Sequence, residues 1–366
     1  MTADIQQVAR AAGVSISTVS RTFTKPELVA PRTREKVARA AEKLDFHISR
    51  SAAALKSGQT MRIALLASAG VSTWFDSHVF AGLDSVFHPA EYDISIYKMM
   101  TTAERRKFFM DLPVRRNVDA VIVDSFDIDP REVKRLKSMH VPIIGINVPS
   151  SVGFNATVGI DDKGAMRTAV EHLVAIGHRD IGYIGEVSQC QLLCSAESRL
   201  QGFRDACKAY RGVRPQVSLV DSSTNLIGNA VNSILTAKPR LTAVCVMTDE
   251  TALPILYRLR QYGCEVPHDL SIIGFDDIEL AKQIGLTTLH QDPYMLGAEA
   301  ARKTIQALEN KEDEEDGTKL DKTNSHVVFP VQLILRGTTA PPTTTKTTMA
   351  KSSENPTTAA APYSGL

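Results

Sequence analysis

The chain has 366 residues, enough for two or three domains with cores of their own, and its 42 Lys and Arg nearly balance 41 Asp and Glu. No apolar run approaches the roughly 18 residues of a membrane span, and the first residues, MTADIQQVARAAG, lack the charged and apolar regions of a signal peptide. Five cysteines (Cys190, Cys194, Cys207, Cys245, Cys264) have neither the count nor the spacing of a disulfide framework or a zinc site. The composition therefore predicts a cytoplasmic protein that needs no membrane, metal or cofactor.

The balance hides an asymmetry. Residues 1–60 hold 10 Lys and Arg against 5 Asp and Glu, and the remaining residues hold 32 against 36. A basic head on a mildly acidic body suggests that only the head meets a polyanion.

In chain order, the head reads as three short helices. Thr2 to Ala12 places Ile5, Val8, Ala9 and Ala12 on one face, with Thr2 as N-cap. Gly13-Val14 breaks that helix, and Ser15 caps a second, SISTVSRTF. The third starts at Pro31, a favoured first-turn residue, with Val37, Ala40, Ala41 and Leu44 facing inward. From Met61 the period changes. RIALLAS, YDISIYKM, VDAVIVDS and VPIIGINV are apolar strands, separated by helical stretches near 76–88, 102–111 and 130–140. The alternation resumes with ATVGIDD, DIGYIGE, VSLVD, TAVCVMTD and LSIIGFDD. Two successive sets of alternating strands and helices predict two α/β lobes with parallel sheets and a cleft between them. A helix over 293–310, a charged loop and a final strand HVVFPVQLILR follow. The Thr- and Pro-rich residues 338–366 have little to bury and are expected to be disordered, without a binding or catalytic role.

Two helices joined by a glycine-containing turn, VARAAGVSISTVSRTF, fit a helix-turn-helix. Small Ala9 and Val14 let the helices cross closely, and Val19 pins the second helix to the core. Ser15, Ile16, Ser17, Ser20 and Arg21 are then left facing outward, where hydroxyls reach phosphates and an arginine reaches guanine. On spacing alone, a capped amphipathic helix in a three-helix bundle remains an alternative.

DIQQVARAAGVSISTVSRTF followed by TREKVARAAEKLDF closely resembles the N-terminal domain of the lactose-repressor (LacI/GalR) family of bacterial transcription regulators. EHLVAIGHRDIGYIG, SRLQGF, SIIGFDD and LTTLHQD match that family's body, so the resemblance spans about residues 2–337. It implies an all-α helix-turn-helix head (1–47), a hinge helix and linker (48–60), and an α/β two-lobed periplasmic-binding-protein-like core with parallel sheets (61–337). The first lobe is expected at about 61–150 and 292–320, the second at about 151–291 and 321–337. The implied function is a dimeric regulator, most readily a repressor, that binds a palindromic double-stranded operator under control of a small effector.

By position in the family pattern, Ile16 and Ser17 set operator choice, and Arg21 reads base or phosphate. Ser15, Ser20, Thr24 and Thr33 match backbone-contacting sites. Ser49 to Lys56 matches the hinge helix, in which Ser49 caps, Arg50 meets phosphate, Ala52 allows close approach and Leu55 supplies the minor-groove wedge. Ala30 stands where the family usually has a capping residue, and Ile48-Ser49 replaces a usual Pro-Asn pair.

For the effector cleft, Arg199 offers a five-donor fork and Asp276, after IIGF, two acceptor oxygens. Asn147 and Thr248 end strands in the same way, and Trp74 with Phe75 supplies an aromatic platform. Asn147 replaces a frequent aspartate, and Thr248 stands where Asn-Asp is usual. These residues point to a neutral carbohydrate; a nucleobase or other metabolite acting as corepressor is the alternative, and a sugar-processing enzyme with a DNA-binding head a more distant one. The chain contains no GxxxxGK[ST], HExxH or GxSxG, so no enzyme machinery is expected. His178 in GHRD is read as structural, and Cys190 and Cys194 as unreactive thiols. No leucine heptads follow Gly337, which predicts a dimer and no tetramer.

Overall fold

A computed structural model describes residues 4–24, 26–46, 59–68, 71–115, 117–138, 140–187, 192, 194–221, 225–314 and 325–343. The hinge residues Ser49, Arg50, Ala52 and Leu55, and most of the C-terminal tail, lie outside the described residues.

The head contains α1 (Ile5–Ala12), α2 (Ile16–Thr24) and α3 (Pro31–Lys43). Asp4, not Thr2, caps α1: its carboxylate accepts from the Gln7 backbone N–H while the Gln7 side chain accepts from the Asp4 N–H. This reciprocal pair satisfies two donors that a helix start leaves open, which a lone threonine two residues earlier would not. Gly13, at φ 66, ends the helix in the left-handed conformation. Val8, Ala9, Val19, Val37, Ala40 and Ala41 form the core, with Ile5, Ala12, Val14, Leu44 and Phe46 packed around it.

The body is two six-stranded sheets. The first is built from β1 (Arg62–Ala67), β2 (Asp93–Lys98), β3 (Ala120–Asp124), β4 (Ile143–Ile146), β5 (Ala156–Ile160) and a late strand, β11 (His326–Phe329), in the order β11-β5-β4-β3-β1-β2, all parallel. The second contains β6 (Asp180–Val187), β7 (Arg214–Asp221), β8 (Ala243–Val246), β9 (Ser271–Asp276), β10 (Thr288–His290) and β12 (Gln332–Ile334), in the order β12-β10-β9-β8-β6-β7. Only β12 is antiparallel to its neighbour. Buried Val, Ile, Leu and Ala fill both faces of each sheet, because helices cover both sides.

Three boundaries differ from expectation. ATVGIDD, placed in the second lobe, is β5 of the first sheet: Ile144 to Ile146 pair with Ala156 to Val158, so the crossing comes after Ile160. HVVFPVQLILR is not one strand. Pro330 has no N–H to offer a ladder, and the chain divides there, β11 joining the first sheet and β12 the second. The return crossing thus falls at the proline and not at residue 320. Finally, residues 338–343 belong to the fold. Ile272 donates its N–H to the Thr338 carbonyl at 2.8 Å, and the buried Thr338 hydroxyl bridges the Thr287 N–H and the Ile272 carbonyl. Polar residues with little to bury are held here by backbone groups that need partners.

His178 is buried at the end of this segment. Its Nε2 lies 2.9 Å from the Ala340 carbonyl and its Nδ1 2.9 Å from the Thr242 hydroxyl. Burial lowers its pKa. It is a structural connector, as its helix–strand position suggested.

Candidate DNA-reading face and effector cleft

On α2 the exposed side chains include Ile16, Ser17, Arg21 and Phe23, with Ser20 half-buried and Val19 wholly buried beneath them. Ile16 is 47 % exposed, which is unusual for an aliphatic residue on a short helix with a core to fill. The Ser15 hydroxyl accepts from the Thr18 N–H at 3.1 Å and pairs with the Ser17 hydroxyl at 2.8 Å. One hydroxyl therefore both caps the helix and orients its neighbour. Thr24 ends α2, and Thr33 lies half-buried in the first turn of α3, after Ala30, which makes no side-chain cap. Phe23, 43 % exposed and 6.3 Å from the Phe46 ring, escaped the sequence reading because its spacing resembles that of a core residue.

The link to the body ends in a defined contact. The Thr60 and Met61 N–H groups donate to the two carboxylate oxygens of Asp119, each at 2.8 Å, fixing where the chain enters the first lobe.

Between the lobes lies a cavity of about 370 Å³. Thr73 and Phe75, at the start of α4 (Trp74–Phe87), line it from the first lobe. Glu186, Arg199, Leu226, Ile227, Met247, Thr248, Glu250, Thr251 and Asp276 line it from the second. Four of the six expected residues, Phe75, Arg199, Thr248 and Asp276, are therefore brought together.

Arg199 comes from α8 (Ser195–Ala209) and is 7 % exposed. Its Nε donates to Asp162 at 2.8 Å and its Nη1 to the Met247 carbonyl at 3.1 Å, with Asp276 at 3.9 Å. The guanidinium stacks 3.6 Å over the Phe275 ring. So many fixed partners make Arg199 a rigid, pre-oriented donor. Asp276 ends β9 at φ 113, a conformation side-chain-bearing residues rarely adopt. It is held by the Gln291 amide at 2.7 Å, and burial, opposed by Arg199, pushes its pKa up to about 7. Ser125 after β3 and Asn147 after β4 also have positive φ, so backbone strain collects at the strand ends facing the cleft.

Trp74 and Asn147 do not line the cavity. Trp74 turns back on its own helix and stacks on His78, with ring centroids 4.6 Å apart. Asn147 is buried behind the cleft: its side-chain oxygen accepts from the Ile160 N–H, and its amide supports Asp162, the partner of Arg199. It positions the arginine at one remove. Thr248 lines the cavity and also caps α10 (Asp249–Gln261), accepting from the Thr251 N–H at 3.3 Å. Glu186 and Glu250 were missed. Glu186 sits near the end of β6 as Asp276 ends β9, and that strand-end position was the available signal.

The N-terminal residues 4–49 match the description "Bacterial regulatory proteins, lacI family", and residues 170–339 match "Periplasmic binding protein-like domain". A curated relative, the HTH-type transcriptional repressor PurR of Vibrio campbellii, is 30 % identical over 328 residues, covering 85 % of this chain and 94 % of the relative. The chain belongs to the LacI family. Catabolite control protein A of Priestia megaterium, another relative, is 28 % identical over 85 % of this chain and 94 % of its own length. The Lac repressor dimer bound to operator and the anti-inducer ONPF superposes with a TM-score of 0.78, at 23 % identity, over 93 % of this chain and all of that one, which speaks for the fold. A CelR–cellobiose complex matches with a TM-score of 0.62 at 25 % identity, over 92 % of this chain and 99 % of that one. As a LacI-family member the chain is a ligand-responsive DNA-binding regulator and not an enzyme. Among the described residues, no helix is long and apolar enough to cross a membrane.

Proposed function

We propose that this protein is a cytoplasmic transcriptional repressor that binds a palindromic operator as a homodimer and is controlled by a small carbohydrate-type effector in the interlobe cavity. The carrying observation is the cavity itself: a fixed Arg199–Asp276 pair faces Phe75, Leu226 and Ile227, combining hydrogen-bonding groups that suit hydroxyls with apolar surface that suits a ring face. Relatives named as repressors, and the solved dimer on operator, support the output side of this reading.

In this reading α2 enters the major groove with Ile16, Ser17 and Arg21 toward base edges, while Ser15, Ser20, Thr24 and Thr33 address the backbone. Ser49, Arg50, Ala52 and Leu55 form the minor-groove hinge, tied to the sensor through the Asp119 anchor. Exposed Tyr257, Tyr262, Leu280 and Ile284 on the second lobe are apolar surface available to a second copy of the chain. A second reading, a nucleobase effector, draws on the same apolar wall, since Phe75 opposite Leu226 and Ile227 also suits a flat ring.

The test is operator binding by fluorescence anisotropy, on a site selected from random DNA, across a panel of sugars and nucleobases. The proposal expects one sugar to change operator affinity tenfold or more, and light scattering to give a dimer. A response confined to nucleobases would favour the second reading, and no response to either class would refute the cleft's role.

A further inference from the structure

The charged lining of the cavity is predominantly anionic. Glu186, Glu250 and Asp276 face it, against a single cationic side chain, Arg199, among the described residues that line it. That one cation is already committed: Asp162 lies 2.8 Å from its Nε and Asp276 3.9 Å from its Nη1. Glu186 is half-buried, and among the described residues the side chain that hydrogen-bonds to it is Thr251, whose hydroxyl lies 3.5 Å away. Burial raises its pKa, and the charge of Glu250 adds to that effect.

Behind the cavity wall, the first lobe adds a pair of carboxyls that are not part of the lining. Asp76 follows the lining residues Thr73 and Phe75, and its carboxylate accepts from the Thr73 hydroxyl at 2.7 Å. Asp124, ending β3, faces Asp76 and is 2 % exposed. One of its oxygens accepts from Ser125, and its carboxyl is hydrogen-bonded to that of Asp76, with a proton between the two. Burial first, then the neighbouring Asp76 carboxyl, hold Asp124 well above the usual carboxylate range. Asp76 and Glu250 stand in the first turns of α4 and α10, where helix dipoles offset part of their charge. Glu186, Asp124 and Asp276 end strands and have no such compensation.

A metal ion does not explain the cluster, because no three of the described His, Cys, Asp and Glu side chains come close enough together to hold one. The carboxylates are spread around a volume sized for a small organic ligand. Like charges assembled in a partly desolvated site are costly unless the occupant supplies the opposite charge.

We infer that the effector carries a protonated amine, as an amino sugar or amino polyol does, with the ammonium seated toward Glu186 and Glu250 and the hydroxyls on Arg199 and Asp276. This rests on the cavity being the effector site, as proposed above.

Calorimetric titration of the full-length protein with matched pairs that differ only at C2 tests it: glucose and glucosamine, galactose and galactosamine, mannose and mannosamine. The expected result is that an amine member binds at least tenfold more tightly than its hydroxyl partner, and that Glu186→Gln reduces this preference. Circular dichroism checks that the variant folds, and Glu250→Gln, at an exposed position, provides an independent second test. A neutral member binding as tightly as or more tightly than its amine partner overturns the charge assignment and leaves the cleft reading standing. Amine binding that neither variant weakens overturns it as well, by moving the site elsewhere. Binding by no member of either class overturns both the inference and the carbohydrate reading.

Discussion

The two lobes are the same design used twice with different chemistry. Each sheet places its first strand between its second and third and closes on a strand from residues 326–334, and each exposes strand C-termini to the cleft. In the second lobe Asp276 is paired: Arg199 holds Asp162 and Asp276, and Gln291 holds Asp276 from the other side, while Glu186 near the end of β6 has a hydroxyl, that of Thr251. In the first lobe they are two carboxyls, Asp76 and Asp124, with no cation between them. One fold thus yields a fixed anchor, with Glu186 and Glu250 beside it, on one side of the cleft and a hydrogen-bonded carboxyl pair on the other. The architecture decides where chemistry can be placed, and single residues decide its sign.

The comparison breaks most severely if the anchor goes. Arg199→Ala leaves two buried carboxylates without their cation, and removal of one partner of a buried ion network costs about 3–5 kcal/mol. Chemical denaturation reads this directly; an unchanged midpoint would mean the second lobe does not depend on the pair.

Helix packing sharpens the comparison next. A Cβ at Gly82, where α4 meets α12 (Pro293–Glu314), would lie 2.0 Å from the Tyr294 carbonyl oxygen. In the second lobe, where α7 (Asp162–Ala175) meets α8, a Cβ at Gly202 would lie 2.6 Å from the Lys163 Cα. Both substitutions overpack backbone against backbone, at about 1–3 kcal/mol or more. Gly82→Ala should lower the melting temperature further than Gly202→Ala, and the reverse order would show that the first lobe yields more readily.

Residues 338–340 are hydrogen-bonded to Ser271, Ile272 and Thr287 of the second lobe. Thr338→Val removes the hydroxyl that serves the Thr287 N–H and the Ile272 carbonyl, at an expected cost of about 1–3 kcal/mol for groups left unpaired. Hydrogen exchange should accelerate at Thr287, and unchanged protection there would rule out the contact.

The smallest effect concerns pH. Asp124 is raised in the folded chain above its ordinary value of 3.8, and Asp249, buried in the second lobe, is raised to about 6. The folded state therefore holds protons that the unfolded chain has already released. With Asp276 raised to about 7 as well, stability should fall as pH rises from about 4 through at least 7. Asp124→Asn should flatten part of this decline and raise the melting temperature at pH 7. A variant as pH-sensitive as the parent would show that Asp124 stays ionised at little cost.

Much of this was legible in the sequence. Apolar strands alternating with helices announced two parallel-sheet lobes, and the inward faces at Val8, Val19 and Val37 announced the head. What escaped depended on partners distant in the chain. Nothing local in ATVGIDD says which sheet it joins, since a strand buried on both faces looks alike in either lobe. Thr338 looked like tail because its partners, Ile272 and Thr287, lie some fifty residues or more away. At the cleft, Arg199 stood out by residue type and Asp276 by residue type and strand-end position. Trp74, read as an aromatic platform, and Asn147, at a strand end, looked equally suited yet turned elsewhere, one onto His78 and one behind the arginine's partner. Side-chain direction at a helix start is set by neighbours, and a single sequence does not display them.

The most direct test of the account is the effector response of operator binding in Asp276→Asn beside the unaltered protein, with the sugar that binds best as ligand. The cleft reading predicts that the parent's operator affinity changes at least tenfold on saturation, while the variant binds operator normally and barely responds at the same concentration. A variant that responds as fully as the parent would contradict it, because the signal would then originate outside the cavity that Asp276 lines.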